Sequence, residues 1–338
     1  MNMILGRIRQ RSRAAVAGLA AIYVLSQVGC GPTYPKEIVD EAIVQLCKEE
    51  YALDVKVKII GNTVGVYIPI ENLFDNALAI SGEAAEKIND VLLSVSRVTL
   101  STDAALNFYI VIAQDPILPE VEVILIRYVR DIKMLHFNQI SRGEFGRRMI
   151  IDIKLTPQAQ KEKVLRGVFD KLNISKADEF IQEYLRTSEV STIGDIGYWN
   201  DIFYMKDIGM GEFLSLQIAD RIKGKFITDD SLKESYRLTA IKGEFLQEGG
   251  RSFFRFSINA QPLNIEAMGL ESEGGSEVVF ETAVQEIADV IHGYKYDAFW
   301  NVEVVDMISQ QVLFAAQQEL EDFRKKRINV EELRRWYR

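Results

Sequence analysis

Two cysteines, two histidines, three tryptophans and seven prolines are all that 338 residues contain, and most of these scarcities close off a class of protein. Cys30 and Cys47 cannot build a disulfide framework. His136 and His292 lie far apart in the chain, with no second histidine or cysteine at a metal-ligand spacing, so zinc or transition-metal chemistry lacks its ligands. No Gly-x-Ser-x-Gly elbow occurs; a Ser-His-carboxylate arrangement assembled in space stays open. Positive charge is also short, with 40 Lys and Arg against 49 Asp and Glu and a formal net charge of -9. A surface of that sign repels phosphates, and no basic patch is interleaved with aromatics, so nucleic acid is disfavoured as a partner.

What is present is an ordinary globular composition, 48% apolar and 26% charged, behind an unusual start. Arg7, Arg9, Arg11 and Arg13 form a basic segment without acidic residues, and Ala14 to Leu25 form an apolar core too short to span a bilayer. Val28-Gly29-Cys30 follows. This resembles the lipobox of bacterial lipoproteins, although Gln27 stands where that class usually has leucine. The resemblance implies lipidation of Cys30, removal of residues 1-29 and membrane attachment through acyl chains such as palmitate. An ordinary cleaved signal peptide and an uncleaved anchor are the alternatives. The mature chain would carry 36 basic against 49 acidic residues. Gly31 is not the aspartate that retains many such lipoproteins at the inner membrane, so the resemblance favours the periplasmic face of the outer membrane. Cys47, among Ile43, Leu46 and Tyr51, reads as a buried small hydrophobe.

The order of elements points to α+β. Residues 36-50 have helical spacing, and Val55 to Ile68 make a hairpin about Gly61-Asn62 with one covered and one wet face. Ser81 caps a helix, and Asn107 to Ala113 read as a buried strand ending at Asp115. VEVILIRYV from Val121 is extended and expected to continue towards His136, a half-buried position, before a short helix near Ile140 to Arg148. Thr156-Pro157 and Ser175 start two helices, residues 188-212 look irregular, and Phe213 to Ile222 suggest a third helix. Next come a hairpin about Gly249-Gly250, a helix from Ser276, a strand ending at Asp306, an extended run at Val312 to Ala316, and a terminal helix. Gln317 to Arg327 fits either a continued strand or a helix.

The outer parts repeat one order, and their ends look alike: ISRGEFGRR from Ile140 and INVEELRR from Ile328. We therefore expect two similar ββαββ-like units, 30-155 and 236-338, related by internal duplication and separated by a mainly helical insert at 156-235.

The sequence assigns no catalytic, cofactor-binding or metal-binding residue. Gly209-Met210-Gly211 lacks the third glycine of a dinucleotide loop, since Leu214 stands there. Candidate ligand or partner contacts are Asp115 and Asp306 at strand ends, Trp199 and Tyr204 in a glycine-flanked aromatic cluster, and Trp336 in a cationic tip. The expectation is a non-catalytic binding or assembly lipoprotein of the cell envelope with an envelope protein partner. An envelope hydrolase with its site between the units and a periplasmic lipid carrier are the alternatives.

Overall fold

A computed structural model describes residues 33-334 apart from 76, 78, 175 and 264-272. Cys30, Ser175 and Trp336 fall outside that set. The fold class is α+β, with two mixed sheets separated by a segment rich in helix. Among the described residues no helix is long and apolar enough to cross a membrane.

After a 3-10 turn at Lys36–Ile38, α1 (Val39–Tyr51) buries Val39, Ala42, Ile43 and Cys47. β1 (Lys56–Ile60) and β2 (Thr63–Pro69) form the expected hairpin. The single wet face is confined to β1. β2 is buried along its length up to Pro69, because β3 (Phe108–Asp115) pairs parallel on its other side and material covers both sheet faces. The connecting helix α2 (Gly82–Leu100) starts where expected: Ser81 Oγ accepts from the Ala84 N–H at 3.2 Å.

β4 (Leu118–Tyr128) ends eight residues before His136. Instead of continuing extended, the chain turns into α3 (Val129–His136), burying Val129 and Ile132 at helical spacing and leaving His136 exposed. The short helix α4 (Arg142–Arg147) is capped by Ser141. A strand the periodicity reading passed over, β5 (Ile150–Leu155), then adds an outer edge, giving the order β1-β2-β3-β4-β5 with only β2 and β3 parallel.

The insert opens with α5 (Pro157–Lys171) and α6 (Ala177–Thr187). Pro157 takes the first helical position, but the Thr156 hydroxyl donates to the Pro119 carbonyl at 3.1 Å rather than capping the helix. The stretch expected to be irregular contains a small hairpin, β6 (Gly197–Trp199) and β7 (Ile202–Tyr204). α7 (Met210–Thr228) and the short α8 (Asp230–Ser235) complete it.

The second sheet has β8 (Tyr236–Glu248), β9 (Arg251–Pro262), β10 (Asn301–Asp306) and β11 (Val312–Ala316) in the order β11-β10-β9-β8. The long helix α9 (Glu273–Tyr294) begins before Ser276 and connects β9 to β10, which run parallel. Gln317 onward is helix: α10 (Gln317–Arg324) precedes α11 (Val330–Arg334).

The two units share strand order and strand direction, and the likeness reaches single hydrogen bonds. Gly61 and Gly249, 188 residues apart, both have left-handed φ, +56° and +57°. After α3, Phe137, Asn138 and Gln139 donate to Lys133, Leu135 and Met134; after α10, Lys325, Lys326 and Arg327 donate to Glu321, Phe323 and Asp322. Each of these residues is again 188 places from its counterpart. Asn138 and Lys326 both carry positive φ, and Ser141 and Asn329 cap the next helix through the N–H groups of Glu144 and Glu332.

Two apolar layers hold this together. One lies between the first sheet and α1, α2 and α3. The other runs continuously from the opposite face of that sheet, through the β6–β7 hairpin and α7, to the second sheet and α9.

Candidate functional site

Asp115 and Asp306 occupy equivalent strand ends, and both are buried. Asp115 Oδ1 accepts from the Ile117 N–H and Asp306 Oδ1 from the Ile308 N–H, each at 2.9 Å. A carboxylate that bonds the backbone two residues ahead builds a tight turn. The remaining oxygens take the Leu73 N–H and the Ser309 hydroxyl. These aspartates shape the turns that follow β3 and β10.

The aromatic cluster joins the insert to the first sheet. Trp199 Nε1 donates to Glu162 at 2.9 Å, and the Tyr204 hydroxyl donates to the Leu185 carbonyl at 2.8 Å. Tyr198 stacks on Tyr67 with centroids 3.6 Å apart, and Lys56 bonds its hydroxyl. These rings contact the protein itself and fill the seam between the insert and the first sheet.

A larger polar cluster binds four helices. Asp131 on α3 is fully buried and takes Arg148 Nη1 at 2.9 Å and the Tyr294 hydroxyl of α9 at 2.9 Å. Arg148 also donates to Glu144 of α4 at 2.8 Å and to the Gly293 carbonyl at 3.2 Å, and its guanidinium lies 4.4 Å from the centre of the Tyr294 ring. From α7, Gln217 donates to the Tyr294 hydroxyl and Arg221 to Glu144. Burial pushes the Asp131 carboxyl up against the opposing pull of Arg148. Burial also raises Glu144, but bonds from Arg148 and Arg221 outweigh it and hold that carboxyl at about 2. Every carboxylate here faces a cation, so the cluster works as a clamp between the two units and the insert.

No family model, curated protein or solved structure matches this chain. Its chemistry must therefore be read from its own residues.

The second polar centre lies under β4. Glu122 is completely buried; its Oε2 accepts from the Tyr198 N–H at 3.3 Å, while its Oε1 has no donor among the described residues. Gln158 Oε1 is likewise unpartnered, and its amide is oriented by Nε2 donating to the Asp195 carbonyl at 3.1 Å. Both orphan oxygens converge on Gly197, where a Cβ would stand 2.7 Å from Glu122 Oε1 and 3.3 Å from Gln158 Oε1. Rotating the amide would set its oxygen against a carbonyl, and neither oxygen has a donor among the described residues, so burial favours a proton on Glu122. Burial is the main cause that raises this carboxyl to about 7, opposed by Lys154 and the Tyr198 N–H.

A groove of about 540 Å³ lies between α9, α10 and the segment from Lys295 to Phe299 that leads into β10. His292 lines it, 3.7 Å from Glu321, which also pairs with Arg324 and Lys325. Among the described residues no group of three or more His, Cys, Asp or Glu side chains is placed to hold a metal ion.

Glu122, Asp131, Arg148, Gln158 and Tyr294 were not singled out from the sequence. One signal was available: Glu122 and Arg127 interrupt the apolar run VEVILIRYV, and a charge inside a buried strand demands a partner.

Proposed function

We propose that this chain is a lipid-anchored cell-envelope protein, attached through Cys30 on the periplasmic face of the outer membrane, that acts as a non-catalytic binding or assembly factor. The observation that carries the binding role is the α5–α6 hairpin. Of the 15 residues of α5, only Gln158 is buried. Val164, Val168 and Leu172 repeat at helical spacing on its outside, with Val164 66% and Leu172 63% exposed. On α6, Phe180 and Tyr184 are also exposed, stacked on each other, and Phe180 meets the edge of Phe169. Apolar side chains grouped outside filled cores are the usual mark of a surface that meets a partner. The anchor rests on the basic segment, the short apolar core and the Gly-Cys junction.

Labelling with a palmitate analogue should mark the wild-type chain and not Cys30→Ser. A photo-reactive residue at Val168 should give one defined adduct in native membranes that Phe180→Asp abolishes, while the same probe at exposed Asp54 gives none. Equal labelling of both chains would remove the anchor, and adducts indifferent to Phe180→Asp would remove the binding surface.

A further inference from the structure

We propose that β5 is a self-complementary edge through which two copies of this chain pair antiparallel, fusing their first sheets across a twofold axis. β5 closes the first sheet on one side, and β4 is its only strand neighbour among the described residues. The Thr156 N–H bonds inward to the Glu120 carbonyl at 2.7 Å. Antiparallel alternation then directs the N–H and C=O groups of Ile151, Ile153 and Leu155 off the free edge. The Leu155 carbonyl holds one exchangeable bond, from the exposed side chain of Gln160.

The same three residues carry the apolar side chains. Ile151, Ile153 and Leu155 stand opposite Leu125, Val123 and Val121 of β4, on the face that α1, α2 and α3 cover further in. At the edge that cover runs out, and they are 46%, 48% and 54% exposed. A long apolar edge is a liability that chains blunt or pair. The opposite edge, β1, alternates Lys56 and Lys58 with its apolar residues and ties both lysines to the insert. On β5 the alternating charges are Asp152 and Lys154, of opposite sign, and Lys154 is tied to the insert at the Gly194 carbonyl.

The charges identify a second copy as the occupant. Pairing centred on Ile153 sets Ile153 against the second copy's Ile153 as a hydrogen-bonded pair, and Ile151 against the second copy's Leu155. On the other face it sets Asp152 against the second copy's Lys154, twice by symmetry. Opposite charges directly across a ladder stabilise it, and like charges oppose it. Moving the centre to Ile151 would bring Lys154 opposite Arg148. Moving it to Leu155 would bring Ile153 opposite Pro157, which has no N–H to donate. The register centred on Ile153 alone matches charge, apolar face and backbone together.

Sedimentation of the purified full chain in mild detergent tests this. A reversible dimer is expected, with Asp152→Lys raising the dissociation constant at least about tenfold and the swap of Asp152→Lys with Lys154→Asp restoring it. Because Lys154 also donates to the Gly194 carbonyl, a second measurement avoids changing its charge network in both copies. Tagged Asp152→Cys and Lys154→Cys chains are co-expressed, and a disulfide should join the two different tags, with none joining two Asp152→Cys chains. A monomeric wild type, or a dimer indifferent to Asp152→Lys and without the mixed disulfide, would overturn the proposal.

Discussion

Glu122 lies between Val121 and Val123 in the middle of a covered strand, with the insert closing over it. Its folded-state value, about 7, is above its ordinary value of 4.5. Between those values the folded chain holds a proton that the unfolded chain has released. Native stability is therefore full below about pH 4.5 and falls as the pH rises towards 7, by up to about 3 kcal/mol from this group. Glu144 has the opposite sign, since its depressed value near 2 gives stability that is present near neutrality and lost in acid. Glu122→Gln should remove the first effect alone: an amide of the same shape has no charge to bury at any pH, while its oxygen keeps the Tyr198 N–H. Urea denaturation at pH 5 and pH 8 should show a drop between the two for the wild type and a flattened response for the variant. Equal drops would mean that Glu122 carries no proton in the fold.

At the scale of elements, the sequence was legible wherever a cap or a turn residue coincided with a change of period. Ser81, Pro157, Gly61-Asn62 and Gly249-Gly250 mark boundaries that the structure keeps. It was misleading after Tyr128, where β-branched residues favour strand but the i, i+3 pair Val129 and Ile132 finds a core as helix. β5 was legible, since Ile151-Asp152-Ile153-Lys154-Leu155 alternates as a half-buried strand does, but the run is short and goes straight into the Thr156-Pro157 helix start, which hid it. The clamp was invisible for another reason: Asp131, Arg148 and Tyr294 are far apart in sequence and meet only when α3, α4 and α9 dock. That docking can be tested by subtraction. Tyr294→Phe removes one hydroxyl shared by Asp131 and Gln217 and should cost about 1–3 kcal/mol. Arg148→Leu leaves Asp131 buried with only the Tyr294 hydroxyl and should cost more, about 3–5 kcal/mol. Chemical denaturation at neutral pH orders the two variants; equal losses would mean that Arg148 contributes nothing beyond the tyrosine bond.

For the whole molecule, the likeness of the two units raises the question of whether they behave as two. Each has its own sheet and long helix, yet one apolar layer includes Ile110 and Ile124 of the first sheet, Phe213 and Ile218 of α7, and Phe254 and Phe256 of the second. α7 is buried on most of its circumference because it packs both ways. It lies so close to β8 that a Cβ on Gly243 would meet the Ser215 carbonyl at 2.1 Å. Separating the units would open that layer and strip the clamp of Tyr294, leaving a buried arginine and aspartate half satisfied. The cost of partial unfolding therefore approaches that of unfolding everything, the condition for an all-or-none transition even in a chain of this length. Scanning calorimetry of the full chain should give one peak with equal calorimetric and van't Hoff enthalpies. Two resolved peaks, or a van't Hoff value near half the calorimetric one, would mean that the repeated units kept their independence and that the shared layer is a contact between domains rather than a common core.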